Sequence, residues 1–270
     1  MIEPFIIDAH AHTGYPNLFF SPEIDAASLL RRMDTYHIQY AINLCSMRAL
    51  VGAQEHELDK AAEEFECSGG RIFYLGFFSP KRKGDLKLFE KARLRPGFKG
   101  IKIHPSFNGV SADDDAYDAV WEFAARMDLP IVAHTWSVSS YNPVQVLSTP
   151  EKFERFVKKY DSVRFVLGHS GGRGEGRRHA IRMAQEYKNV YMDFGGDIYC
   201  YRYFEQMSQE LPENKILFGS DYPWIDCRSH LSRVYLADIS TQLKRRILRD
   251  NALEVYRLES NEGDSYLNFT

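Results

Sequence analysis

Eight short apolar runs, each followed by a longer amphipathic stretch, set the strongest limit on how this chain can fold. The runs are Phe5–His10, Tyr40–Cys45, Ile72–Phe77, Gly100–His104, Pro130–Ala133, Val163–Leu167, Val190–Asp193 and Ile216–Gly219. Most are continuous rather than alternating, the pattern of strands covered on both faces in a parallel sheet. Helical patterns lie between them at Glu23–Tyr36, Ala53–Cys67, Asp85–Arg93, Asp113–Met127, Glu151–Tyr160, Gly174–Tyr187, Tyr201–Leu211 and Ser240–Leu258. Ser21-Pro22 and Thr149-Pro150 each supply a cap followed by proline at the first helical position. No linker-like composition break divides residues 1–270, so one domain is expected. Eight βα units in series predict an α/β fold, a closed (β/α)8 TIM barrel. The competing open doubly wound sheet needs a glycine-rich turn after its first strand, where this chain has His-Ala-His-Thr-Gly.

Composition narrows the function classes. An apolar fraction of 44% with 26% charged residues is globular, and a net charge of -3 offers no basic footprint for nucleic acid. No run of 18 apolar residues is present to span a membrane, and Met-Ile-Glu-Pro lacks the basic start of a secretory signal. Cys45, Cys67, Cys200 and Cys227 are scattered without a CxxC pair, which fits reduced thiols. The expectation is a soluble cytoplasmic protein with a small-molecule substrate, and a homodimer on base rates alone.

The polar residues that stand out sit where the apolar runs stop. His10 and His12 project from one strand face about 7 Å apart, with Ala11 turned away and Asp8 expected on the same face to orient a ligand. Lys102 and His104 close the fourth run, His134 the fifth, His169 the sixth and Asp221 the eighth. In a barrel these ends converge on the C-terminal mouth, where the chemistry of this fold is placed. Three nitrogens and one carboxylate with an open position suit a catalytic divalent metal. His10, His12, His134 and Asp221 are therefore assigned to one ion, zinc first, with manganese, iron or cobalt as alternatives. Asp221 and His169 are the expected catalytic groups, His169 either hydrogen-bonding the water, polarising substrate or binding metal itself.

These segments resemble the metal-dependent amidohydrolase superfamily, in the branch of small amidohydrolases related to aminocarboxymuconate-semialdehyde decarboxylase. The matching stretches are Ile7-Asp8-Ala9-His10-Ala11-His12, Gly100-Ile101-Lys102-Ile103-His104-Pro105, Ala133-His134-Thr135, Gly168-His169-Ser170-Gly171-Gly172, Gly219-Ser220-Asp221-Tyr222-Pro223 and Asp250-Asn251-Ala252-Leu253-Glu254-Val255-Tyr256. The resemblance implies one metal on His10, His12, His134 and Asp221, with His169 as an acid/base or water-orienting group. It also implies that a carboxylated Lys102 bridging two metals is the less favoured arrangement.

Further candidates line the same mouth. His104 is expected to contact substrate or metal water, and Trp136, Phe107, Tyr222 and Trp224 are candidate pocket walls. Arg173, in the glycine-rich loop 168–176, and Arg48 are candidate anion contacts, with solvated arginines as the plainer reading. His37, His56, His179 and His230 read as surface or packing residues. The leading expectation is a metal-dependent hydrolase of a small amide, lactone or ester. The alternative is a non-oxidative decarboxylase or hydratase of a carboxylated aromatic or muconate-like acid.

Overall fold

The computed structural model describes residues 5–14, 24–45, 49 and 54–259. Eight parallel strands run β1 Ile6–Ala11, β2 Ile38–Asn43, β3 Ile72–Phe78, β4 Phe98–Ile103, β5 Ile131–His134, β6 Phe165–Gly168, β7 Val190–Asp193 and β8 Ile216–Leu217. They pair in sequence order, each with the next. Beyond the end of β8 the chain turns back along β1: Asp221 N–H donates to the His10 carbonyl at 2.7 Å and His12 N–H to the Tyr222 carbonyl at 2.7 Å. Ala9 N–H donates to the Phe218 carbonyl at 2.8 Å, and these bonds bring β1 against β8 to give a (β/α)8 barrel in one domain.

The continuous apolar strands divide cleanly between two layers. Ile7, Ile42, Leu75, Val132, Val166 and Leu217 form the inner cluster, plugged at one end by Ala252, Val255 and Tyr256 of the closing helix. Ile101, Ile103, Ile131, Ala133, Phe165 and Leu167 face the outer layer of helices. Alternation then puts Lys102 and His134 on the inner face.

Helices match the sequence pattern with local differences. The segment expected at Ser240–Leu258 is α-helix over Thr241–Arg245 and Asn251–Tyr256, with a π turn at Arg246–Asp250 between them. A helix at Cys227–Leu236 was not expected; Asp226 caps it by accepting from Arg228 N–H. The Glu151–Tyr160 segment begins as a 3-10 turn at Pro150–Phe153 before its α-helix at Glu154–Lys159. The expected start at Ser21-Pro22-Glu23 lies outside the described residues, and the helix there is described from Ala26 to Thr35.

Lys215 fastens the base of the barrel. Its buried Nζ donates to the carbonyls of Tyr187, Lys188 and Val190 at 2.9, 2.9 and 3.0 Å. Burial lowers this amine to about 8, so the three acceptors are what hold its charge in place. Lys215→Met keeps the stem but leaves three carbonyls without their donor. It is expected to cost about 2–4 kcal/mol of stability, read as a lower urea midpoint at pH 7. No described helix is long and apolar enough to cross a membrane, and all four cysteines are free thiols.

Candidate metal centre

The strand ends converge as the sequence pattern requires. His10, His12 and Asp221 are buried, and Asp221 Oδ1 lies 3.5 Å from His10 Nε2 and 3.6 Å from His12 Nε2. His10 reaches this position because β7 and β8 leave room beside it: a Cβ on Gly219 would stand 2.7 Å from the His10 Cβ. Asp221 and His169 both adopt left-handed backbone, with φ of 61° and 62°. For residues other than glycine this costs free energy, and it concentrates at sites where a side chain must be aimed.

Each imidazole is oriented by a specific acceptor. His10 Nδ1 donates to Asp193 Oδ2 at 2.9 Å, His12 Nδ1 to the Cys45 carbonyl at 3.1 Å and His169 Nδ1 to the Gly195 carbonyl at 2.9 Å. A neutral ring with its proton on Nδ1 presents a bare lone pair at Nε2, so all three share one tautomer. Burial holds His10, His12 and His134 well below the usual histidine range and brings His169 down to about 3. The rings are thus neutral ligands in waiting. Burial also lifts the Asp221 carboxyl well above the carboxylate range, against the pull of Lys102.

A divalent ion fits this donor set. Among the described residues His10 Nε2 and Asp221 Oδ1 are fully buried atoms without a hydrogen-bond partner, a costly state that a shared cation would relieve. Two imidazole nitrogens and a carboxylate oxygen are ordinary ligands for zinc or manganese.

Other predicted residues fall around the three-donor group. His134 stands outside it: its Nε2 is 3.2 Å from Gln145 Oε1, and its ring stacks on His104 at 3.9 Å and 8°. The His134 ring lies 4.9 Å from that of His169, which in turn lies 4.6 Å from His10. His104 Nδ1 accepts from Phe107 N–H at 3.2 Å, which places its proton on Nε2. Lys102 is buried, and burial lowers its amine while Cys45, Asp193 and Asp221 pull the other way. Trp136 is half-buried with its ring 5.4 Å from His169, and Trp224 lies 4.8 Å from His12.

Arg173 does not reach the cage; its guanidinium pairs with the exposed Asp197 at 2.8 Å. The glycines of its loop answer to packing instead, since a Cβ on Gly171 would meet the Gly176 carbonyl at 2.3 Å. Arg48 lies outside the described residues.

One second-layer assignment is corrected. Asp8 does not orient an imidazole; its Oδ1 accepts from the backbone N–H groups of His10 and Ser220 at 3.1 and 2.9 Å. A register shift between Asp8 and Ala11 breaks the alternation that would have put it beside the histidines. Asp193 takes that role. Its Oδ2 holds His10, while its Oδ1 accepts from His169 N–H and Gly195 N–H at 3.1 and 3.0 Å.

A family model described as amidohydrolase matches residues 7–258. The chain belongs to the amidohydrolase family. Solved structures agree on the fold of this amidohydrolase. A 2,6-dihydroxybenzoate decarboxylase complexed with 2,6-dihydroxybenzoate is 15% identical with a TM-score of 0.75, covering 94% of this chain and 100% of its own. A 5-carboxyvanillate decarboxylase from Sphingomonas paucimobilis is 14% identical with a TM-score of 0.70, covering 94% and 99%. The 5-carboxyvanillate decarboxylase from Novosphingobium aromaticivorans, complexed with manganese and 4-hydroxy-3-methoxy-5-nitrobenzoic acid, is 15% identical with a TM-score of 0.74, covering 94% and 96%. No curated protein matches the chain by sequence.

Proposed function

We propose that this amidohydrolase is a metal-dependent, non-oxidative decarboxylase of a small, planar aromatic carboxylic acid. The observation that carries the reading is a wall of flat rings beside the buried Asp221 carboxyl that faces His10 and His12. His104, His134 and Trp136 lie within 8° and 11° of parallel, and Trp224 covers His12. Flat apolar-faced rings favour stacking with an aryl acid over a branched aliphatic substrate. The decarboxylase names of the similar structures support the same reading over the hydrolysis first expected.

His10, His12 and Asp221 would hold the ion, with His134 turning from Gln145 to complete the set. When bound, the ion would supply positive charge that offsets the negative charge of the substrate's oxygens. In the reaction the bond from ring carbon to carboxylate carbon breaks, carbon dioxide leaves, and its electron pair stays on the ring. The Asp221 carboxyl, whose hold on a proton burial strengthens, delivers that proton to the ring carbon. His169, neutral with Nε2 bare, accepts a hydrogen bond from a ring hydroxyl.

The test is direct. Protein reconstituted with manganese or zinc is offered 2,6-dihydroxybenzoate, 5-carboxyvanillate and a panel of amides and lactones. Carbon dioxide release that disappears on chelation supports the proposal. Turnover of amides or lactones with every aryl acid left intact would refute it.

A further inference from the structure

Behind the metal centre, between the helix Gln54–Cys67 and the outer faces of β2 and β3, the packing is interrupted by polar groups. Glu57, Asn43 and Tyr74 are 3%, 1% and 1% exposed, in a layer otherwise filled by side chains such as Leu58, Ala61 and Ile72. Both Glu57 carboxylate oxygens, Asn43 Oδ1 and the Tyr74 hydroxyl have no hydrogen-bond partner among the described residues. All three residues line one small cavity, together with Cys45 and Gln54. The cavity measures about 10 Å³, room for one water-sized occupant.

The Asn43 amide cannot be turned to satisfy itself. Its Nδ2 donates to Thr13 Oγ1 at 2.7 Å, and Thr13 Oγ1 donates onward to Glu64 Oε2 at 2.9 Å. A flipped amide would leave Glu64 and Thr13 without that donor, so an acceptor oxygen is held toward the cavity. The residues lining the cavity therefore carry three acceptor-only oxygens and one hydroxyl without a partner among the described residues.

Charge decides between occupants. Arg82, which reaches the cavity-lining Gln54, is committed: its Nε pairs with Asp85 Oδ1 at 2.6 Å, and its other nitrogens donate to the Ala49 and Phe77 carbonyls and to Gln54 Oε1. Arg82 and Asp85 cancel, which leaves the Glu57 charge buried without a counter-ion among the described residues. A water molecule would donate two hydrogen bonds but bring no charge, and an unpaired buried carboxylate is the costlier deficit.

We propose that this cavity is a binding site for an alkali-metal cation, sodium or potassium, held by the Glu57 carboxylate, Asn43 Oδ1 and the Tyr74 hydroxyl. All-oxygen donors of one net negative charge suit a hard monovalent ion. The site backs onto the active end of the barrel, because Cys45 lines the cavity and its carbonyl orients His12.

The metal-loaded protein tests this by thermal unfolding in potassium, sodium and tetramethylammonium chloride at equal ionic strength. Potassium or sodium is expected to raise Tm by about 3–6 °C in a saturable way, and tetramethylammonium, too large to enter, is not. Whichever of the two small ions acts at lower concentration is the preferred occupant. Glu57→Gln should lose the salt-specific rise and in tetramethylammonium should unfold no lower than the unsubstituted protein, since the amide carries no charge. Crystals soaked in thallium(I) should show an anomalous peak between Glu57 and Asn43, a readout that needs no variant. Equal Tm in all three salts, a full rise retained in Glu57→Gln, or no thallium at the cavity would each overturn the proposal.

Discussion

Asp221→Asn is expected to lower the proposed decarboxylation by about 10³-fold at saturating metal, with the unfolding midpoint little changed. The amide oxygen can still face His10 and His12, so the geometry of the cage survives. What disappears is the proton. Burial keeps the Asp221 carboxyl protonated to higher pH than an exposed aspartate, and no other described carboxyl belongs to the His10–His12 donor group. The wild-type rate should accordingly fall as pH rises through the range in which Asp221 ionises, and the residual rate of the variant should lack that limb. Metal content measured on the same sample separates the two roles of the residue. A variant that binds metal yet turns over at the wild-type rate would place the proton donor elsewhere.

Much of this architecture is legible in the sequence. The eight strands fall within two residues of the apolar runs at every end, because strands buried on both faces need continuous apolar sequence and little else resembles it. The strand-end histidines and Asp221 were readable for the same reason, as polar residues breaking those runs at one phase of the repeat. Asp8 misled because its role depends on a bulge, which pattern cannot show. The Cys45 and Gly195 acceptors are backbone carbonyls and leave no trace in residue identity. Gln145 sits in a loop whose path only the fold supplies. Asp193 is different: it ends the seventh apolar run as His169 follows the sixth, and the signal was there to use.

Asp193 is also where a single atom should matter most. Its Oδ1 is held by two backbone N–H groups, so an asparagine in its place would keep its oxygen on those donors and turn Nδ2 toward His10. Two donors would then face each other across 2.9 Å. The His10 ring escapes by moving its proton from Nδ1 to Nε2, which aims an N–H into the cage where a lone pair is required. Asp193→Asn is therefore expected to weaken divalent-metal binding by about 100-fold, the upper end for loss of a ligand's orienting partner. Stability should fall by only about 1–2 kcal/mol, because both backbone donors stay satisfied. Asp193→Ala, which strands those N–H groups as well, should cost more stability yet less metal affinity than Asp193→Asn, since no opposing donor then drives the His10 proton onto Nε2. Competition titration against a chromophoric chelator, paired with urea unfolding of the metal-free proteins, distinguishes the two. If the asparagine variant binds metal as tightly as the parent, the Asp193 carboxylate does not set the His10 tautomer.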